Sequence, residues 1–158
     1  MGDYFAHWLK VGERQGAKLP KVFFVNWFRK DQNGKFIWPG FGDNSRVLKW
    51  ICDRLDGNAE ARDTAIGRVP AKGALDLSGL DVPDAAMDTL LNVDLDIWEE
   101  EAALIPPHYE KFGSKLPQGL WDQYDELVGR LSKARGGKTA LKLAAARGPK
   151  AARITAAE

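Results

Sequence analysis

Apolar residues recur at the spacing of a helix face in five parts of the chain. Side chains three and four positions apart lie on one side of an α-helix, so each part predicts an amphipathic helix. Pro106-Pro107 should interrupt the fourth helix, because proline cannot donate a helix hydrogen bond. The five faces are Tyr4, Phe5, Trp8 and Leu9; Val47, Leu48, Ile51 and Leu55; Met87, Leu90 and Leu91; Leu95, Trp98, Ala102 and Ile105; and Leu120, Tyr124, Leu127 and Leu131.

Between the first two helices the pattern changes to that of a β-hairpin. Residues 21–28 are mostly apolar and rich in β-branched and aromatic side chains, which predicts a buried strand. Asn33-Gly34 predicts a tight turn, and residues 35–38 predict a short return strand that ends at Pro39. Residues 59–81 contain several glycines and a proline, and they predict irregular structure.

The hairpin and its exit loop combine many aromatic side chains with glycines. Aromatic rings provide flat faces for a nucleobase, and glycine lets the backbone approach a ligand closely. The sequence therefore predicts a pocket for a flat ring, with a hairpin packed on the core as the alternative. The candidate residues are Phe28, Phe36, Trp38 and Phe41 for the rings, and Gly40 and Gly42 for the backbone.

Asn44 follows this loop, and two roles are open to it. Its amide both donates and accepts hydrogen bonds, so it can address the edge of guanine, where adenine presents the opposite pattern. It also stands with Asp43 and Ser45 directly before the second predicted helix, where any of the three could be the N-cap. The residues by themselves favour capping.

The string NWFRKDQNGKFIWPGFGDNSRVLKW resembles the guanine-binding segment of the GTP-dependent phosphoenolpyruvate carboxykinases. The resemblance runs from Met1 to Leu131 through MGDYFAHWL, KLPKVFFVNWF, TAIGRVP and LDLSGLD. It implies an α/β (mixed α+β) fold, the C-terminal part of that family's nucleotide-binding domain, with an aromatic hairpin and several packing helices. Residues 1–132 would form this partial guanine-recognition domain. Residues 133–158 have no counterpart in the resemblance, and their Ala, Lys and Arg composition predicts a flexible or partly helical basic tail.

The resemblance also implies an activity. The family converts oxaloacetate and GTP into phosphoenolpyruvate, GDP and CO₂, a decarboxylating lyase reaction of gluconeogenesis, with Mn²⁺ in the site and Mg²⁺ on the nucleotide. The matching positions imply that Phe28, Phe36 and Phe41 enclose the guanine and that Asn44 bonds its edge. The family's catalytic residues and metal ligands precede this region, so the chain should contain none of them and be inactive alone.

The partners that the resemblance implies are a guanine nucleotide and the upstream catalytic portion of the same enzyme, which is expected to be a monomer. The chain thus reads as a fragment, since MGDYFAHWL resembles the middle of a longer helical stretch in the family. No apolar run approaches membrane-spanning length and the N-terminus lacks a secretory pattern, so we expect a cytoplasmic location and no membrane partner.

A rival function is a non-catalytic module that binds a guanine nucleotide or a nucleic acid through the aromatic hairpin and the basic tail. Residues 133–158 hold seven basic residues and one acidic residue. A solvated tail without a partner is the favoured interpretation, so nucleic acid is not an expected partner. Gly137-Lys138-Thr139 imitates the end of a phosphate-binding loop, but Ser132 stands where that motif needs glycine.

Three other features of the sequence are not expected to take part in catalysis or metal binding. The lone cysteine, Cys52, is predicted to be a small buried apolar residue. The acidic run Glu99–Glu101 is predicted to be a solvated helix face. His7 and His108 lie far apart in the sequence without neighbouring ligands, so they predict no zinc or histidine-based metal site.

Overall fold

A computed structural model describes residues 1–136 of the chain, which form two compact units. The first unit combines Met1–Leu19 with the described residues from Val93 onward, and the second is Pro20–Asn92. The helices are α1 (Gly2–Gly12), α2 (Asn44–Leu55), α3 (Asp84–Leu91), α4 (Leu95–Glu110) and α5 (Gln118–Ala134), and the strands are β1 (Ala61–Thr64) and β2 (Gly67–Pro70). Single 3₁₀ turns cover Phe41–Asp43 and Gly113–Lys115.

The prediction of mixed helix and strand structure is confirmed, with more helix than sheet. The predicted tail begins at Lys133, but helix α5 extends to Ala134. The remainder of that tail from residue 137, including Gly137-Lys138-Thr139, lies outside the described residues.

In the first unit, α1 packs on the start of α5 and on the turn before it. The Phe5 and Phe112 rings meet edge to face with centroids 5.3 Å apart. A Cβ on Gly2 would lie 2.1 Å from the backbone oxygen of Lys115, so only glycine fits there. These contacts join an aromatic cluster around Trp121 and Tyr124, whose rings both lie in the interior.

The prediction that Pro106-Pro107 interrupts α4 is wrong, because the helix continues to Glu110. Pro106 is fully buried, and the final turn places Tyr109 against Trp121 with ring centroids 5.1 Å apart. The helix therefore keeps its path through packing of its last turn, although the two prolines cannot donate helix hydrogen bonds.

The prediction of a wholly solvated Glu99–Glu101 face is also wrong, because Glu99 is buried. Consecutive residues on a helix point in different directions, and Glu99 is the one that faces inward. Its carboxylate pairs with the guanidinium of Arg135, which also pairs with Asp96. The hydrogen bond to Asp96 is the main reason why the pKa of Arg135 is raised. Arg135, assigned by sequence to the tail, thus contributes to the folded unit.

The core of the second unit is built on Trp38, Trp50, Leu75 and Met87. Trp50 comes from α2 and Met87 from α3, while Trp38 and Leu75 lie on loops. The α2 stripe is only partly confirmed. Val47 and Ile51 pack on this core, but Leu48, Leu55 and Cys52 are exposed on the other side of the helix. The prediction of a buried Cys52 is therefore wrong, because the wide indole of Trp50 turns a different face of α2 inward.

Residues 59–81 are not wholly irregular, so the prediction of irregular structure there is wrong in part. Strands β1 and β2 form an antiparallel hairpin in which Ala61 pairs with Pro70 and Thr64 with Gly67. The Thr64 hydroxyl donates to the Gly67 carbonyl at 2.6 Å and closes the turn. Polar residues alternate poorly with apolar ones here, so periodicity gave no strand signal.

The strand predicted for residues 21–28 is absent from the described structure. Burial nevertheless alternates: Phe23 and Trp27 pack on the core, while Val22 and Phe24 are each 92% exposed. No backbone hydrogen bond is shown for residues 21–27 within the part of the chain that the structure describes. A strand needs a neighbour to pair with, and residues 1–136 supply none at this position.

Candidate functional site

The tip of the aromatic segment is held by one side chain. Asp31 accepts hydrogen bonds from the backbone N–H groups of Asn33 (2.8 Å) and Lys35 (2.9 Å). Asn33-Gly34 lies in the turn as predicted, with Gly34 at φ 78°. The predicted pair of strands is reduced to one bridge between Lys30 and Phe36, so the hairpin is short.

This short hairpin brings two of the predicted rings together. The Phe28 and Phe36 centroids lie 6.0 Å apart with an interplanar angle of 63°. The Lys30 ammonium lies 5.1 Å from the Phe36 centroid, within cation–π range. Phe36 thus has neighbours that fix its ring.

Three predicted ring residues are solvent-exposed. Phe28 is 71% exposed, Phe36 51% and Phe41 94%. Within residues 1–136, no ring contact joins Phe41 to Phe28 or Phe36. Exposed rings are informative where they lie together, as Phe28 and Phe36 do, because exposed apolar patches often mark binding surfaces. This exposure argues against the alternative in which the three rings pack the core.

Trp38 lies differently from the other three aromatic candidates. Its side chain is 6% exposed and belongs to the core of the second unit. The ring therefore offers no open face to a ligand. Its indole Nε1–H instead donates a hydrogen bond of 2.8 Å to Oδ1 of Asn44.

Gly40 separates Trp38 from the exposed Phe41 and has an unusual backbone. Its φ of 123° and ψ of −158° lie in a region that is essentially restricted to glycine. A Cβ built on Gly40 would meet nothing within 4 Å, so the need for glycine comes from the backbone conformation rather than from crowding. This turn changes the direction of the chain between the buried Trp38 and the exposed Phe41.

Asn44 is the first residue of α2, and the structure tests whether its side chain caps the helix. No side chain caps α2, and the 3₁₀ turn Phe41–Asp43 leads directly into this helix. The Ser45 hydroxyl donates to the Gly42 carbonyl, and Asp43 accepts from Arg46. The capping interpretation is therefore wrong for Asn44, whose side-chain oxygen accepts from Trp38.

Arg46 is a residue of this site that the sequence patterns did not reveal. Its guanidinium contacts Asp43 at 3.2 Å and donates to the carbonyls of Asp76 and Ser78, each at 2.9 Å. The pKa of Asp76 is lowered, first by the hydrogen bond from the Ser78 hydroxyl. Arg46 thus ties the start of α2 to a loop that lies 30 residues away in the sequence. An arginine on a polar helix face gives no sequence signal for such a contact.

Residues 1–136 bring together no group of three or more His, Cys, Asp or Glu side chains that could hold a metal ion. These residues by themselves therefore do not fit the Mn²⁺ and Mg²⁺ ions that the resemblance implies. No helix in the described part of the chain is long and apolar enough to cross a membrane.

Comparison with known proteins identifies the family. Residues 1–130 match the family model described as the phosphoenolpyruvate carboxykinase C-terminal P-loop domain. The chain therefore belongs to the GTP-dependent phosphoenolpyruvate carboxykinase family and represents a C-terminal portion of it.

Several curated relatives are similar over most of this chain. Phosphoenolpyruvate carboxykinase [GTP] of Neocallimastix frontalis is 54% identical over 136 residues, which are 85% of this chain and 22% of the relative. The enzyme of the same name from Treponema pallidum is 51% identical over 138 residues, which are 86% of this chain and 22% of the relative. The chain thus spans about a fifth of the length of these relatives.

Proposed function

We propose that this chain supplies guanine recognition to a GTP-dependent phosphoenolpyruvate carboxykinase. The observation that carries the proposal is the contrast between three exposed phenyl rings and a buried Trp38 that is bonded to Asn44 in the same compact unit. The rings of Phe28, Phe36 and Phe41 bind the faces of the base, and the Asn44 amide reads its edge. The backbone turn at Gly40 joins these two parts.

The complete enzyme of this proposal converts oxaloacetate and GTP into phosphoenolpyruvate, GDP and CO₂. In it, this chain binds and orients the base, and it is inactive by itself. The upstream portion supplies the phosphate-binding, metal-binding and substrate-binding groups. A gluconeogenic role, a cytoplasmic location and a monomeric complete enzyme belong to the same proposal. So does the division into a recognition domain, residues 1–132, and a basic tail, residues 133–158, whose first two residues continue α5.

The unpaired segment 21–28 supports a role for an upstream portion. Val22 and Phe24 expose apolar side chains almost fully, and the backbone between them has no hydrogen bond within the described residues. Exposed apolar side chains of this size mark contact surfaces, and the unpaired N–H and C=O groups of an extended segment can pair with a neighbouring strand. We therefore assign the outer face of residues 21–28 to packing against that portion.

Ring stacking and edge reading make different contributions to affinity. Stacking on an aromatic side chain contributes about 1–3 kcal/mol per base and tolerates every base. An edge contact selects, because the wrong base leaves a desolvated polar group without a partner. Loss of Phe41 should therefore weaken all nucleotides together, whereas loss of the Asn44 amide should weaken the preference for guanine.

The test is a nucleotide titration of the full 158-residue chain. Its six tryptophans supply indole N–H signals for two-dimensional NMR, which measures weak binding well. We expect GDP to bind with a dissociation constant no better than about 1 mM, because the phosphate contacts are missing. ADP should bind more weakly than GDP.

Two variants separate the contributions. Phe41→Ala should weaken GDP and ADP by the same factor, with the unfolding free energy changed by no more than about 0.5 kcal/mol, since the ring is 94% exposed. Asn44→Ala should narrow the difference between GDP and ADP. Equal affinity of the unmodified chain for both nucleotides would contradict the proposed function.

The rival function is a free-standing, non-catalytic module that binds a guanine nucleotide or a nucleic acid. It predicts that a single-stranded oligonucleotide binds the full chain and that the affinity falls steeply as salt rises, because released counterions drive such binding. GDP binding that is insensitive to salt, together with no oligonucleotide binding, favours the carboxykinase proposal.

A further inference from the structure

The Asn44 amide can distinguish between bases only if the orientation of its side chain is fixed. The amide has an acceptor oxygen on one side and a donor nitrogen on the other, and rotation by half a turn exchanges them. In one orientation it donates outward, and in the other it accepts. A freely rotating Asn44 could therefore satisfy either a carbonyl or an amino group on a base.

Trp38 removes this ambiguity. An indole N–H only donates, so the group that faces it at 2.8 Å must be the amide oxygen of Asn44. The amide nitrogen then points away from Trp38, and it has no hydrogen-bond partner within the described residues. Asn44 is partly exposed, so its outward donor group can meet a ligand.

The indole itself is held in place by its surroundings. Trp38 is 6% exposed and packs in the core cluster with Trp50, Leu75 and Met87. A ring in such a cluster cannot turn without displacing its neighbours. The N–H direction, and through it the orientation of the Asn44 amide, is therefore set by the core of the second unit.

We propose that Trp38 is a specificity-determining positioning residue, which fixes the Asn44 amide so that its NH₂ group faces the substituent at position 6 of the bound purine. This inference rests on the proposed function. Guanine carries an acceptor oxygen at position 6 and adenine carries a donor amino group, so a fixed NH₂ donates a hydrogen bond to the guanine oxygen but faces a second donor when adenine is bound. Trp38 acts through Asn44 and does not stack on the base.

The decisive variant is Trp38→Phe, which keeps an aromatic ring and removes the N–H. The full chain is titrated with GDP, IDP and ADP by NMR. IDP shares the position 6 oxygen of GDP and lacks only the amino group at position 2. We expect the GDP-to-ADP affinity ratio to fall at least about fivefold, the lower end of what one well-placed contact contributes to base discrimination. The GDP-to-IDP ratio should stay unchanged.

Trp50→Phe is the matched control. Trp50 is equally buried at 6%, lies in the same cluster and donates its indole N–H to the backbone oxygen of Glu60 at 3.2 Å. Its loss should disturb the core to a similar degree without freeing Asn44. We expect similar weakening of GDP, IDP and ADP in this control, with both ratios as in the unmodified chain.

A second replacement covers the case in which Trp38→Phe does not fold. Benzothienylalanine at position 38 keeps the bicyclic shape and replaces only the N–H by sulfur, so packing is preserved. It should lower the GDP-to-ADP ratio in the same way. Combining either Trp38 replacement with Asn44→Ala should lower the ratio no further than Asn44→Ala does alone, because both act on one contact.

The outcomes distinguish this inference from the proposed function. If the unmodified chain does not prefer GDP to ADP, the proposed function fails and the role of Trp38 fails with it. If the unmodified chain prefers GDP, Asn44→Ala loses the preference and both Trp38 replacements keep it, only the role of Trp38 is overturned. A ratio that falls equally in Trp38→Phe and Trp50→Phe also overturns it, because general loosening of the core then explains the change.

Discussion

One hydrogen bond, between Trp38 and Asn44, changes the role expected of both residues. By type, Trp38 is a ring for stacking and Asn44 is a helix cap. In the structure Trp38 is buried, and its N–H is bonded to the Asn44 oxygen. The helix meanwhile begins without a side-chain cap. Because Trp38 is buried, its ring is not available for stacking. Because the Asn44 oxygen accepts from the buried indole, the Asn44 side chain does not cap the helix.

Gly40 allows a prediction at the scale of one residue. Its φ and ψ lie where side chains with a Cβ are strained by about 1–3 kcal/mol. We expect Gly40→Ala to lower the unfolding free energy by this amount and to weaken GDP and ADP alike, because Phe41 loses its position. Chemical denaturation followed by tryptophan fluorescence measures the first effect, and the NMR titration measures the second.

Gly42 is the matched control for this variant. It has no positive φ, and a Cβ there would also meet nothing within 4 Å. Gly42→Ala should therefore leave the unfolding free energy within about 0.5 kcal/mol of the unmodified chain. Equal destabilisation by both substitutions would show that the backbone of Gly40 is not the strained point.

At the scale of the elements, α4 and α5 are joined by an ion pair that crosses between them. Glu99 of α4 is buried, and the Arg135 that follows α5 pairs with it and with Asp96. A buried carboxylate that loses its cation is left with much of its desolvation cost. The acidic run therefore contributes one interior charge rather than only a solvated face.

Arg135→Ala should consequently destabilise the first unit. We expect a loss of about 1–3 kcal/mol, below the cost for a fully buried pair because the Arg135 side chain is 32% exposed. Thermal unfolding followed by circular dichroism provides the measurement. Arg130→Ala, within α5, removes an exposed pair with Glu126 at 3.7 Å and should cost only about 0.3–0.5 kcal/mol. A smaller loss for Arg135 than for Arg130 would contradict the assignment.

At the scale of the whole molecule, one segment has the composition of a strand but pairs with no sheet in the described residues. Residues 21–28 alternate between core contacts and solvent, as a strand does, yet no neighbouring strand is present in residues 1–136. The curated relatives are several times longer than the matched region. The missing pairing and the extra length fit the same proposal of an upstream portion.

Hydrogen exchange tests this proposal on the backbone itself. In the 158-residue chain, amides of residues 21–27 should exchange fast while those of α2 and α5 are protected, since only the helices have internal hydrogen bonds. A chimera that joins the upstream part of the Treponema pallidum relative to Met1 should protect the segment. Slow exchange in the chain alone, or fast exchange in the folded chimera, would count against the assignment.

The sequence by itself determined the helices, the turn at Asn33-Gly34 and the family. Apolar spacing is a local property, and five faces predicted five helices close to their observed positions. The motif string identified the carboxykinase family, which the comparison of residues 1–130 confirms. The identities of the candidate ring residues also came from residue types, and their role in binding stays a prediction.

Only the tertiary structure decided which of these residues face inward. Trp38 and Glu99 are buried, Cys52 is exposed, and α4 continues through two prolines. Each outcome depends on neighbours that are distant in sequence, because burial and pairing are properties of packed surfaces rather than of local pattern. The contact between Trp38 and Asn44 arises in the same way, since the core fixes the indole and the indole fixes the amide.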